Sequence, residues 1–198
     1  MTKLKIIFVL LVVSSCSYIS YSEALPLLRD SILGAPDIQI DQKFIDSKKY
    51  SFAKIKVGRS AIAILSLASI DDEGVYKWVN SSDEAIYTFK GKIIKTEGIL
   101  FDMNLYNYMQ FLLVKNNNNL HYQIELTNPQ GFFSQSAQIS SQVKENQMIV
   151  SEVVTTDGFR WNYTNEYIVD LSSNNVIEAE QFIHPKYPKI YISYYYKF

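Results

Sequence analysis

Cysteine is almost missing from this chain. Cys16 is the only one in 198 residues, so no internal disulfide can form and no cysteine zinc site can be assembled. The core has to hold by packing alone. Histidine is nearly as scarce: His121 falls in an expected strand and His184 in a proline-flanked turn. Neither has a second histidine one helical turn away, so a metal centre has no starting point, and both read as satisfied or solvated side chains. No Gly-x-Ser-x-Gly elbow occurs for serine acyl transfer, and no glycine-rich loop for phosphate. Lysine and arginine (19) nearly balance aspartate and glutamate (20) without forming a basic run, which argues against nucleic acid as a partner. No apolar stretch approaches the roughly 20 residues of a membrane-spanning helix.

What is present begins at the N-terminus. Lys3 and Lys5 form a positive start, and Ile6 to Val13 form a short apolar run, the layout of a secretory signal. The run ends in Val13-Ser14-Ser15-Cys16, which resembles the bacterial lipobox, where a cysteine is lipidated and becomes the new N-terminus. The rival reading is an ordinary cleaved signal beside an incidental cysteine. The lipobox reading gives a signal peptide over 1–15, a lipidated tether over 16–23 and one domain over 24–198. Ser17 stands where an aspartate would signal inner-membrane retention, so the expected location is the outer membrane, with the domain facing the periplasm.

The body of the chain is rich in tyrosine (15) and phenylalanine (11) and reads as strands. Leu25, Leu28, Ile32 and Leu33 predict a short helix over Ala24–Leu33, and Asp41 is a plausible N-cap for a helical turn over Gln42–Ser47. From Tyr50 onward strands are expected over Ser51–Val57, Ala61–Ser69, Val75–Val79, Ala85–Phe89 and Lys92–Thr96. They continue over Leu120–Leu126, Phe132–Ser141, Met148–Thr155, Arg160–Leu171, Val176–Ile183 and Lys189–Tyr196. Lys90-Gly91 is the clearest hairpin signal. Leu105–Val114 fits a helix or a buried strand equally well. About ten strands with short connections imply a single all-β domain, an antiparallel barrel or barrel-like sandwich with a filled interior.

Chemistry is sparse. The carboxylate pairs Glu178/Glu180 and Asp71/Asp72 are the only candidates for a two-acid hydrolase, and a solvated strand face and a turn account for them better. Aromatic rings are the better candidates for a ligand surface. Trp78, Trp161, Tyr194 and Tyr196 could stack on sugar rings, although aromatic residues in β-domains more often fill the core.

Several segments carry a resemblance. Leu33-Gly34-Ala35-Pro36-Asp37, Lys77-Trp78-Val79 after Gly74, the run Gly91-Lys92-Ile93-Ile94-Lys95-Thr96-Glu97-Gly98, Arg160-Trp161-Asn162, and Ile177 through Gln181 follow one another in order. Together they resemble the group 4 capsule polysaccharide lipoproteins of the YjbF/GfcB type. The resemblance implies an outer-membrane lipoprotein with a barrel-like domain, acting as a non-enzymatic factor in assembly or export of an extracellular polysaccharide. Its implied partners are the polysaccharide or envelope export proteins, and no cofactor or metal is implied. Only Cys16 carries over as a functional residue, for lipidation. The alternatives are a two-carboxylate polysaccharide hydrolase and a half-barrel carrying lipid or lipoprotein.

Overall fold

On most strands one of the two alternating faces is mainly apolar, and turning those faces toward a common axis buries them together. The computed structural model, which describes residues 40–111 and 119–197, does this with a closed barrel. Its strands are β1 (Phe52–Val57), β2 (Ala63–Ile70), β3 (Val75–Val79), β4 (Ala85–Phe89), β5 (Lys92–Glu97) and β6 (Met103–Tyr106). They continue as β7 (Asn119–Thr127), β8 (Gln130–Lys144), β9 (Gln147–Thr156), β10 (Asn162–Asp170), β11 (Asn175–Gln181) and β12 (Ile190–Tyr195). Each strand pairs antiparallel with its sequence neighbours, and β1 closes on β12 from Phe52↔Tyr195 to Val57↔Ile190. β7 shows the rule plainly: Leu120, Tyr122, Ile124 and Leu126 are buried, while His121 and Gln123 between them are exposed. The expected signal peptide, the tether with Cys16 and the helix over Ala24–Leu33 lie outside the described residues.

The fold is all-β and a barrel rather than a sandwich, with twelve strands where about ten were expected. The strand missing from the sequence reading is β6, four residues long. It is followed by a 3-10 turn over Tyr108–Gln110, so the undecided stretch starting at Leu105 begins as the end of a strand and then a turn. Residues 112–118 lie outside the described set. The turn delivers Phe111 into the interior, where it is fully buried against Tyr167 with ring centroids 5.1 Å apart.

A single described helix, α1 (Gln42–Ser47), sits ahead of β1, capped as expected: the Asp41 carboxylate accepts from the Phe44 backbone N–H at 2.8 Å. It sets Phe44 edge-on to Phe52, which stacks on Tyr195 at 4.6 Å. These rings cover the outside of the β1–β12 seam. The seam between β5 and β6 is built differently, since only Lys95↔Asn104 pairs in register. Side chains take over there: the Thr96 hydroxyl donates to Asp102 and accepts from the Met103 backbone N–H, and Asp102 accepts from the N–H groups of Gly98 and Ile99.

The β4–β5 hairpin has both turn residues in the left-handed region, Lys90 at φ 49° and Gly91 at φ 77°. A Cβ on Gly91 would lie 2.6 Å from the Val176 side chain on β11. The Gly91 carbonyl accepts from Gln181 Nε2 at 2.8 Å and from the Tyr194 hydroxyl at 2.9 Å, while Gln181 Oε1 accepts from the Ile93 N–H. Two segments on which the family resemblance rests, Gly91–Gly98 and Ile177–Gln181, therefore meet across the barrel. Gly91→Ala is expected to cost about 2 kcal/mol, combining left-handed strain with overpacking. Gly74→Ala, at φ 80° with nothing within 4 Å of its would-be Cβ, is the matched control and should cost less in urea unfolding. Equal losses at the two sites would show that contact with Val176 contributes nothing.

Candidate functional site

At the centre of the barrel, β9 carries Glu152 on the same inward parity as Met148, Val150 and Val154. Lys92, the first residue of β5, places its Nζ 2.7 and 2.6 Å from the two carboxylate oxygens. The hydroxyls of Tyr122 and Tyr167 and the amide of Asn165 donate to the same carboxylate, each at 3.0 Å. Lys92 is also held over the Tyr122 and Phe111 rings, at 4.7 and 5.3 Å. Both members of the pair are buried. Burial alone would raise the Glu152 carboxyl, but the Lys92 charge and the donated hydrogen bonds overcome it and hold it below the usual glutamate range. Burial and the neighbouring carboxylate push Tyr122 and Tyr167 upward, so both stay neutral donors. This carboxylate is ionised, saturated with donors and shut away from solvent. Its chemistry is that of a structural lock joining β5, β7, β9 and β10.

Because all neighbours are antiparallel, the connections alternate between the two barrel ends. The chain enters β1 and leaves β12 at one end, the base. The β1–β2, β3–β4, β5–β6, β7–β8, β9–β10 and β11–β12 connections gather at the other end, the mouth. At the mouth lies a cavity of about 360 Å³. Ile55, Leu65, Ile86 and Ile190 form its walls, and Ile99 and Leu100 of the β5–β6 connection its lip. Asn80 and Glu84 contribute polar atoms, and these are tied to each other and to their own turn: the Asn80 amide donates to Glu84, and its carbonyl oxygen accepts from the N–H groups of Ser82 and Glu84.

Of the four aromatic candidates, Trp78 is 1% exposed, Tyr194 4% and Trp161 8%, while Tyr196 is partly buried. Trp78 donates its indole N–H to the Thr88 hydroxyl at 2.9 Å and packs 5.4 Å from the Tyr194 ring. Tyr194 and Tyr196 lie parallel at 6.0 Å, and the Tyr196 hydroxyl donates to the Val176 carbonyl. Trp161 packs on Tyr163 near the mouth at 4.5 Å. The structure thus splits the set, with Trp78, Tyr194 and Tyr196 in one cluster and Trp161 in another. Their ring faces are turned to one another and to the core.

The histidines also separate. His121 is exposed on β7. His184, expected to be satisfied or solvated, is fully buried and stacked on Phe101 at 4.8 Å. Its Nδ1 accepts from the Lys186 N–H at 3.1 Å, and its Nε2 is buried without a hydrogen-bond partner among the described residues. Burial keeps its pKa below the ordinary histidine value, so the ring is neutral and serves as a packing plate between the β5–β6 and β11–β12 connections. The paired acids are surface groups: Asp71 accepts from the N–H groups of Glu73 and Val75 in its turn, and Glu180 bridges to Lys189 at 2.8 Å on the outer face. Among the described residues no three His, Cys, Asp or Glu side chains gather as a metal set.

A family model described as group 4 capsule polysaccharide lipoprotein gfcB, YjbF matches residues 27–194. The chain belongs to that family. Among solved structures, the barrel is similar to the hypothetical lipoprotein YmcC from Escherichia coli K12, with a TM-score of 0.71 and 17% identity over 92% of this chain and 98% of that one. At that identity the likeness speaks to the fold. No curated protein sequence matches the chain at a significant level. The Gly91–Gly98 run supplies the tight turn, the central lysine and the Thr96 clamp. Sequence reasoning missed the Lys92–Glu152 lock, although one signal was available. Glu152 shares the apolar parity of its strand, a position where an acid survives only with a buried partner.

Proposed function

We propose that this protein is a lipid-anchored accessory factor, not an enzyme, in the assembly or export of a surface polysaccharide. The anchor would be Cys16, the location the outer membrane, and the barrel would face the periplasm. The observation that carries the reading is the family match over residues 27–194. The geometry supports it in two ways. The barrel axis is filled by the Lys92–Glu152 lock and Phe111, which favours a docking body over a conduit. Of the acids considered for hydrolysis, Asp71 is held in its turn, Glu180 pairs with Lys189 on the outer face, and Asp72 and Glu178 stand exposed on the surface, which favours a non-enzymatic role over the hydrolase alternative. With most of the candidate aromatics packed inward, scaffolding of envelope export proteins is favoured over direct sugar stacking.

The test is surface polysaccharide in a deletion strain complemented with wild type or with Cys16→Ala, the variant's periplasmic level being checked by blot. Wild type should restore the polysaccharide and Cys16→Ala should not. Equal rescue by the untethered variant would sink the anchored-scaffold part. A deletion that leaves surface polysaccharide unchanged would sink the export role itself.

A further inference from the structure

We infer that the cavity at the barrel mouth is a binding site for one acyl chain of a lipid. Its volume of about 360 Å³ is that of a ligand pocket, within the roughly 300–1,000 Å³ range typical of such sites. The composition of its walls selects the ligand class. Ile55, Leu65, Ile86, Ile99 and Ile190 are branched aliphatics, and Tyr187 is the one aromatic ring on the lining. A sugar needs ring faces for stacking and convergent donors and acceptors for its hydroxyls. The polar side chains here are engaged locally. Asn80 and Glu84 hold the β3–β4 turn, and the Ser60 hydroxyl accepts from the Val57 N–H and donates to the Ala61 carbonyl. A polyol in this cavity would give up water for little in return, whereas a hydrocarbon chain has no hydrogen bonds to lose.

The lip points the same way. Leu100 is 78% exposed, the most exposed large apolar residue among those described, and it stands on the cavity edge. Ala63 on β2 lines the cavity and is exposed as well. An apolar wall that runs out to a bare leucine suits a chain lying half in the cavity, with its head group outside. Glu84 at the wall and Asp83 beside it add negative charge at that edge, which favours a neutral head group over an anionic one. The β5–β6 lip is fastened to the β11–β12 connection by the Phe101–His184 stack and by Phe101 against Tyr187 at 5.1 Å, so the cavity is pre-formed.

The acyl chain could come from the protein's own N-terminal lipid or from a second lipid, and the test separates the two sources. The full chain carrying Cys16→Ser is titrated with the neutral fluorophore 1-N-phenylnaphthylamine, and the bound probe is displaced with monolauroylglycerol; maltoheptaose is the sugar comparison. Displacement by the monoglyceride and not by the oligosaccharide is expected. Ala63→Trp, which fills the cavity from an exposed position, should weaken monoglyceride binding at least tenfold, and Leu100→Ser several-fold. Val143→Ser, at an exposed apolar site near the β8–β9 turn, should change nothing. Repeating the titration with wild type in nanodiscs assigns the source: binding lost only with Cys16 intact identifies the protein's own anchor, and binding retained identifies a second lipid. Failure of the monoglyceride to displace the probe, or displacement indifferent to both Ala63→Trp and Leu100→Ser, overturns the inference. This in-vitro readout is independent of the export reading, so either can fail alone.

Discussion

Glu152→Ala is expected to remove about 3–5 kcal/mol of stability, because it leaves the Lys92 ammonium as an uncompensated charge at the barrel centre. Three further donors, from Tyr122, Tyr167 and Asn165, lose their acceptor in the same step. The check is urea unfolding at neutral pH, and a loss under about 1 kcal/mol would mean that the pair is not what holds the interior. The double variant Lys92→Met with Glu152→Gln should regain most of the loss. Methionine fills the lysine stem without a charge. The glutamine carbonyl still accepts from the Tyr167 hydroxyl and the Asn165 amide, and its NH2 group donates to the Tyr122 hydroxyl, which turns to accept. The pH dependence follows from the same pair. Glu152 titrates below its unfolded value, so its contribution is complete above the ordinary glutamate range and fades as pH falls through the lower, folded value. Acid unfolding of wild type should therefore be steeper than that of the double variant.

Trp78→Ala is expected to cost a similar amount, about 3–5 kcal/mol, by opening a cavity among Tyr76, Tyr194 and Tyr196. The Thr88 hydroxyl also loses the indole donor. Trp78→Phe should cost clearly less, since the ring volume is largely kept and only the hydrogen bond goes. Comparing the two by thermal and urea unfolding separates core from ligand surface. A Trp78→Ala protein that keeps wild-type stability yet loses affinity for the surface polymer would return Trp78 to a sugar groove.

Alternation made most of the barrel readable. On β7 and β9 every second residue is buried and those between are exposed or half-buried, so period two shows directly in the letters. It failed at β6, where Met103-Asn104-Leu105-Tyr106 is too short for a period to register and runs into further apolar residues. The hairpin at Lys90-Gly91 and the Asp41 cap were legible because local backbone chemistry dictates them. The sites were harder. Parity sent Tyr194 and Tyr196 to one face, and the structure puts them there, but parity does not say whether that face is the core or a ligand surface. The mouth cavity draws on β1, β2, β4, β12 and four connections, none of which carries a mark of it alone. Lys92 and Glu152 are far apart in the chain, and only closure of the barrel brings them together.

Closure also constrains how this chain folds. The strand that seals the barrel, β12, is the last of the described strands and pairs with β1, the first. Until the last strand arrives, β1 offers an unpaired edge, the kind of edge that templates intermolecular pairing. Most neighbouring hairpins can form locally and early, but the sealing contact has nearly the greatest sequence separation available and is formed late. Before that contact forms, the edge of β1 is bare and the barrel interior, with its central lysine and glutamate, is open to water on that side. The species most open to intermolecular pairing is therefore the nearly finished barrel, with β1 still unpaired.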